Sequence, residues 1–169
     1  TNEQEIWVGT DRGLFNYQLE NDSCTKVLNK MVRGMLVDSR GDVWIGTWSS
    51  GLYRYSTKDK QWFEYPQMNE FNSAHVIFED SKQRIWVGSF GKGIMLLHNP
   101  HDLNKLSWTT FSAESPTNNI SDNYIYAITE NPETKPMWLG TRKGISITPV
   151  SPDPNQIKWN NIYPSGNPN

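Results

Sequence analysis

Val32-Arg33-Gly34-Met35-Leu36-Val37-Asp38-Ser39-Arg40-Gly41-Asp42-Val43-Trp44-Ile45-Gly46-Thr47, continued by Trp48-Ser49-Ser50-Gly51-Leu52-Tyr53-Arg54-Tyr55, is the stretch whose reading decides the fold. Its opening residues are mostly apolar and predict a strand. Asp38-Ser39-Arg40-Gly41 is a turn sequence, because the aspartate carboxylate accepts backbone N–H bonds and glycine takes a positive φ. Val43-Trp44-Ile45 is apolar on consecutive residues, so both faces of that strand must be covered. Gly46-Thr47 and Gly51-Leu52 then bracket a tight connection to a third strand, Leu52 to Tyr55.

The same unit recurs along the chain. Ile6-Trp7-Val8-Gly9-Thr10, Val43-Trp44-Ile45-Gly46-Thr47, Ile85-Trp86-Val87-Gly88-Ser89 and Met137-Trp138-Leu139-Gly140-Thr141 are four copies of one string. Gly13-Leu14, Gly51-Leu52, Gly93-Ile94 and Gly144-Ile145 follow them at nearly constant distance. The tryptophans are 37, 42 and 52 residues apart, a period that fits propeller blades of roughly 40–50 residues and excludes shorter solenoid repeats. Asp38 and Asp80 each stand six residues before their Trp, at the end of an apolar stretch. Tyr124 to Glu130 supplies the corresponding strand before Trp138. Gln61 to Tyr65, Lys105 to Phe111 and Ile157 to Tyr163 are read as fourth strands. The expected fold is therefore all-β, with blades of four antiparallel strands in about four repeats: 1–30, 31–67, 68–119 and 120–169. Trp7, Trp44, Trp86, Trp138, Gly9, Gly46, Gly88, Gly140, Asp38 and Asp80 are its structural residues.

The first repeat lacks its inner strand, because only five polar residues precede Ile6. A propeller normally closes on itself. The expectation is a partial propeller cut from a longer one, with closure by the C-terminal segment as the alternative. Uncovered apolar end blades would drive self-association.

Composition narrows the function classes. The 169 residues are 36% apolar, 20% charged and 12% aromatic, with eight Trp and a mean hydropathy of -0.69. No apolar run approaches the roughly 20 residues of a membrane helix, and so many aromatics argue against disorder. A net charge of -2 gives no general attraction to nucleic acid or anionic lipid. Cys24 stands alone, so neither an internal disulfide nor a cysteine metal cluster can form. Residues 1–10 carry no basic-then-apolar leader, and any targeting signal is expected elsewhere.

The apolar strand, Asp-Ser-x-Gly, x-Trp-Ile-Gly-Thr and Gly-Leu-Tyr-Arg-Tyr of Val32 to Tyr55 resemble the two-component regulator propeller repeat. The resemblance extends over all four units. It implies part of the periplasmic sensor propeller of a hybrid two-component histidine kinase of Bacteroides type, anchored in the inner membrane through other parts of the parent. It also implies oligosaccharide sensing, with the remaining blades of the parent as partners and no chemistry in these repeats. Kinase motifs are not found in this sequence, so kinase activity would belong to the parent.

Blade topology places the loops after Gly-Thr, and the crossovers between blades, on one face. Trp48 and Phe90 occupy matching places there, with Arg12, Arg142, Lys143, Asn72 and Asn123 as candidate polar partners. Aromatic platforms beside such groups suit a sugar ring. The competing reading is that Trp48 and Phe90 plug the rim, and that the chain is a structural or protein-interaction propeller.

Other signals carry no site. His98 and His101 share a loop with no third spaced ligand, so no metal is expected. Gly88-Ser89-Phe90-Gly91-Lys92-Gly93 precedes no helix and reads as a hairpin rather than a phosphate cradle. Asn21-Asp22-Ser23 and Asn119-Ile120-Ser121 fit the glycosylation triplet, which means little in a bacterial-type sequence. Asp38-Ser39-Arg40-Gly41 is similar to the Asp-box turn of sialidase propellers, with the Asp one place early. The arginines form no cluster beside a Tyr and an acid, and no paired carboxylates or catalytic His stand out. A propeller glycosidase or lyase fragment is the remaining enzyme alternative. No catalytic residue, cofactor, nucleic-acid partner or direct membrane contact is expected.

Overall fold

The computed structural model describes residues 4–65, 71, 73–134, 136–149, 153 and 156–165. The regular elements among them are strands in sequential meanders. β1 (Glu5–Thr10), β2 (Gly13–Gln18) and β3 (Ser23–Leu28) form a three-stranded sheet in the order β1-β2-β3. β4 (Val32–Val37), β5 (Val43–Thr47), β6 (Leu52–Ser56) and β7 (Gln61–Tyr65) form a second sheet, of four strands. β8 (Ala74–Glu79), β9 (Ile85–Ser89), β10 (Ile94–His98) and β11 (Ser107–Phe111) form the third. β12 (Ile125–Glu130), β13 (Pro136–Thr141), β14 (Ile145–Pro149) and β15 (Asn160–Ile162) form the fourth. These are propeller blades, and the first lacks its innermost strand among the described residues.

The chain divides into two compact units, Thr1–Ile77 and Phe78–Asn169, with the boundary inside β8. In the first unit the core lies between the first two blades. Leu14, Val32, Val43, Ile45 and Tyr53 form its centre, with Trp7, Val27, Leu28, Met35, Tyr55 and Trp62 packed against it. Trp7 turns its ring toward the second blade, 5.2 Å from Tyr55 and 6.3 Å from Trp62. Ile6 and Val8, on alternate positions of the same strand, are 47% and 43% exposed. In the second unit Trp86 packs on Phe111 of its own blade at 6.1 Å and on Trp159 of the next at 6.3 Å. Met137 and Leu139 are buried while Trp138 between them is half-buried. The period of two thus sends successive side chains of the Trp strand into opposite sheet faces.

Each recurring element of the repeat has a physical task. The Asp38 carboxylate accepts from Arg40 N (3.0 Å) and Asp42 N (2.9 Å) with one oxygen and from Trp44 Nε1 (2.8 Å) with the other. Asp80 repeats this with Lys82 N, Arg84 N and Trp86 Nε1 at 2.9, 3.0 and 2.8 Å. The six-residue spacing is what lets one carboxylate close the turn and also satisfy the indole that the strand buries. Gly41 holds φ 84° in the first of these turns, and Gln83 takes φ 58° at the matching place in the second. The glycine after the Trp strand answers to a close approach: a Cβ on Gly46 would sit 2.3 Å from Ala74 O, and one on Gly9 2.5 Å from Val32 Cγ1.

The structure trims three expected strands. The fourth strand of the third blade starts at Ser107, because Lys105 N is engaged in a turn with Asp102 O at 3.0 Å. In the last blade only Asn160–Ile162 pairs, since the Asn118 side chain takes Ile157 O and Trp159 N and turns both residues into the core. Tyr124 leaves β12 to bridge Phe90, and a bulge follows between Ile125 and Ala127.

Candidate ligand-binding loops

The loop after each Trp strand is closed by the hydroxyl that ends the motif. Thr10 Oγ1 donates to Gly13 O at 2.9 Å, Thr47 Oγ1 to Gly51 O at 2.8 Å, Ser89 Oγ to Gly93 O at 2.9 Å and Thr141 Oγ1 to Gly144 O at 2.9 Å. The same oxygens accept backbone N–H groups from Arg12, Ser50, Lys92 and Gly144. A threonine or serine is required there because one short side chain must donate and accept at once. The tip residues are thereby held on a fixed frame.

In the first unit Trp48 is 41% exposed. Its backbone N–H reaches Met31 O at 3.0 Å, and the Arg33 guanidinium lies 5.2 Å from its ring centre. Arg33 also pairs with Asp11 at 3.0 Å. Arg12, beside Asp11 in the first loop, is exposed. The loop group is therefore an indole face flanked by a cation whose position a carboxylate fixes.

The second unit carries a denser group. Phe90 is half-buried and meets Tyr124 edge-on at 4.8 Å and Tyr126 at 5.7 Å. Arg142 lies 4.1 Å over the Tyr124 ring and pairs with the buried Asp122 at 3.2 Å. Lys143 is exposed next to it. Tyr126 remains 49% exposed. Asn123 is consumed by the loop itself: its Oδ1 accepts from Ala113 N at 2.7 Å, its Nδ2 donates to Glu114 at 2.6 Å, and its carbonyl accepts from Gly91 and Gly93. That bond from Asn123 is the main cause holding the Glu114 carboxyl below its ordinary pKa. Asn72 lies outside the described residues.

Tyr124, Tyr126 and Arg33 were not among the residues read from sequence as site candidates. Tyr124-x-Tyr126 at the head of a strand puts two rings on one face, and that alternation is the signal available. Arg33 gives no such signal, since its stacking on Trp48 depends on how the loop crosses the preceding strand.

Asp42 and His98, outside these loops, have structural partners. Asp42 pairs with Arg54, the two side chains being 8% and 5% exposed. Arg54 donates to the Tyr65 hydroxyl at 3.1 Å and lies 4.2 Å over Phe63. Burial pushes the Tyr65 phenol up to about 12, against the opposing effect of Arg54. His98 Nε2 bonds Thr109 Oγ1 at 2.9 Å, and its pKa is held below the ordinary value by burial and then by Arg84.

Comparison with known proteins agrees with this architecture. Residues 26–49 match the two component regulator propeller family. A histidine kinase P4 of Formosa agariphila is 36% identical over 64 residues, which cover 34% of this chain and 5% of that protein. The extracellular domain of the hybrid two component system BT3049 from B. thetaiotaomicron superimposes with a TM-score of 0.71 at 22% identity, over 96% of this chain and 22% of that one. BT4673 gives 0.69 at 19% identity, over 96% and 21%. Virginiamycin B lyase from Staphylococcus aureus gives 0.71 at 13% identity, over 98% and 54%. The chain thus spans a small part of the hybrid-system proteins it resembles. Fold and motif together define the class as β-propeller blades. Within it, residues 26–49 match the two-component regulator propeller repeat.

Proposed function

We propose that these blades form part of the extracytoplasmic, periplasmic sensor propeller of a hybrid two-component histidine kinase, and that their loops contribute to holding an oligosaccharide. The two-component regulator repeat at residues 26–49, in a fold shared with extracellular domains of hybrid two component systems, carries this reading. Two features of the loops support the ligand class. Trp48 offers a partly open indole face beside Arg33. Phe90, Tyr124 and Tyr126 cluster beside Arg142 and Lys143. Flat apolar rings with fixed cationic donors suit sugar rings, acidic ones above all.

The blades perform no chemistry of their own in this reading. Asp38, Asp42, Asp80 and Asp122 are each committed to fold-forming partners. Signal leaves the propeller as a small rigid-body shift that the ligand stabilises, and the rest of the parent's blades are its nearest partners. Titration calorimetry of the intact sensor ectodomain, with a panel of neutral and acidic glycans, tests the assignment. Binding that Trp48→Ala or Phe90→Ala abolishes at an unchanged melting temperature is expected. Absence of heat with the whole panel overturns it. Loss of stability in both variants points instead to rim packing.

A further inference from the structure

The innermost strands of two blades begin with the same irregularity. In the second blade Val32 pairs with Thr47 and Gly34 with Gly46, so Arg33 is an extra residue in β4. In the fourth, Ile125 pairs with Thr141 and Ala127 with Gly140, so Tyr126 is an extra residue in β12. Thr47 and Thr141 end equivalent Trp strings, and Arg33 and Tyr126 therefore hold one structural position in two blades. A bulge of this kind re-aims the extra side chain. Val32 and Ile125 beside them are buried, whereas Arg33 and Tyr126 are exposed. Each meets the aromatic ring of a candidate binding loop: Arg33 lies 5.2 Å from the Trp48 ring centre, and Tyr126 lies 5.7 Å from that of Phe90. His75 stands at the same spacing, 11 residues before Trp86 as Arg33 is before Trp44. Burial, and then Arg33, keep its pKa below the ordinary value, so the imidazole is neutral at pH 7. The fixed positive charge among these three positions is Arg33.

We propose that the bulge position determines ligand specificity, and that Arg33 selects a sugar carrying an anionic group, carboxylate or sulfate. The assignment rests on the saccharide reading above and adds which residue chooses among saccharides. Asp11 accepts from Arg33 Nη1 at 3.0 Å, and the Met31 sulfur accepts from Nη2 at 3.1 Å. A guanidinium carries five N–H groups in one plane, so these two bonds fix the plane while the others can receive an oxyanion. Asp11 offsets the charge, and the preference for an acid therefore comes from paired, oriented donors rather than from bulk attraction. The Trp48 ring supplies the apolar platform beside them. Tyr126, at the same position in the second unit, offers a ring and a hydroxyl instead, so that place selects for stacking rather than for charge.

The intact sensor ectodomain is titrated by calorimetry with an oligogalacturonate, its neutral methyl ester and a sulfated galactan oligosaccharide. One of the two acidic probes is expected to bind more tightly than the ester, and which one does so distinguishes carboxylate from sulfate. That acidic-to-neutral affinity ratio falls about tenfold or more in Arg33→Gln, through loss of a hydrogen bond between charged groups. Arg33→Lys, which keeps the charge but not the paired planar donors, lowers the ratio less, and it serves where the glutamine variant fails to fold. Lys58→Gln makes the same charge change in the exposed turn between β6 and β7, at the other end of the strands, and moves the ratio by less than about twofold. Tyr126→Leu weakens all three probes by a similar factor. A ratio that survives both Arg33 variants, or that Lys58→Gln lowers equally, overturns the assignment and leaves saccharide sensing standing. So does equal affinity of the unsubstituted protein for all three probes. Absence of heat with the acidic probes overturns the assignment alone where a neutral glycan of the wider panel binds, and overturns both readings where none does.

Discussion

Asp80 holds four donors on two oxygens: the N–H groups of Lys82 and Arg84, the Arg84 Nε at 2.7 Å and the Trp86 indole at 2.8 Å. Removing the carboxylate leaves a buried indole N–H and an arginine without their acceptor. Asp80→Ala is therefore expected to lower stability by about 3 kcal/mol or more, since hydrogen bonds to charged groups each contribute about 1.5–3 kcal/mol. Urea unfolding measures it. His98 gives a pH dependence at the same scale. Its pKa is depressed in the folded chain by burial and by Arg84. The unfolded chain takes up that proton near the ordinary value of about 6.5, at a higher pH than the folded chain does. Stability from this group is thus full above about pH 6.5 and declines as the pH falls through the folded value. The melting temperature should drop between pH 7 and pH 5, and drop less in His98→Gln.

At the scale of elements, the Trp-x-Gly motif separates two situations that look alike in sequence. A Cβ on Gly46 would strike the backbone carbonyl of Ala74 at 2.3 Å, where β8 passes over β5. A Cβ on Gly140 would find Ala127 Cβ at 3.5 Å, an ordinary contact. Gly46→Ala should cost about 2 kcal/mol or more through backbone displacement. Gly140→Ala should fall within about 1 kcal/mol of the parent, with reduced chain entropy in its favour. Paired thermal melts of the two variants check this. The loops obey a related rule, because the hydroxyls of Thr10, Thr47, Ser89 and Thr141 fix their closure while the tip residues are free to vary.

At the scale of the molecule, the terminal blades leave apolar side chains uncovered. Ile6 and Val8 in the first blade, and Ile145, Ile162 and Tyr163 in the last, are all more than a third exposed. We propose that these faces drive self-association of the isolated chain, as such patches commonly do. Light scattering across concentration should show mass above 19.5 kDa that Ile162→Lys reduces. A monomer throughout would overturn this.

Four tryptophan strings at blade spacing, with Asp38 and Asp80 six residues ahead of Trp44 and Trp86, determined the fold class by themselves. Consecutive apolar residues bounded by turn formers have few other ways to be buried. The sequence alone also located Trp48, Phe90 and Arg142 in loops. Tertiary structure decided which residues join them: Arg33 onto Trp48, Tyr124 and Tyr126 onto Phe90, and Asn123 into loop closure. It alone distinguished the crowded Gly46 from the open Gly140. Periodicity records which face of a strand is buried, whereas contact and hydrogen bonding depend on distances between segments far apart in the chain.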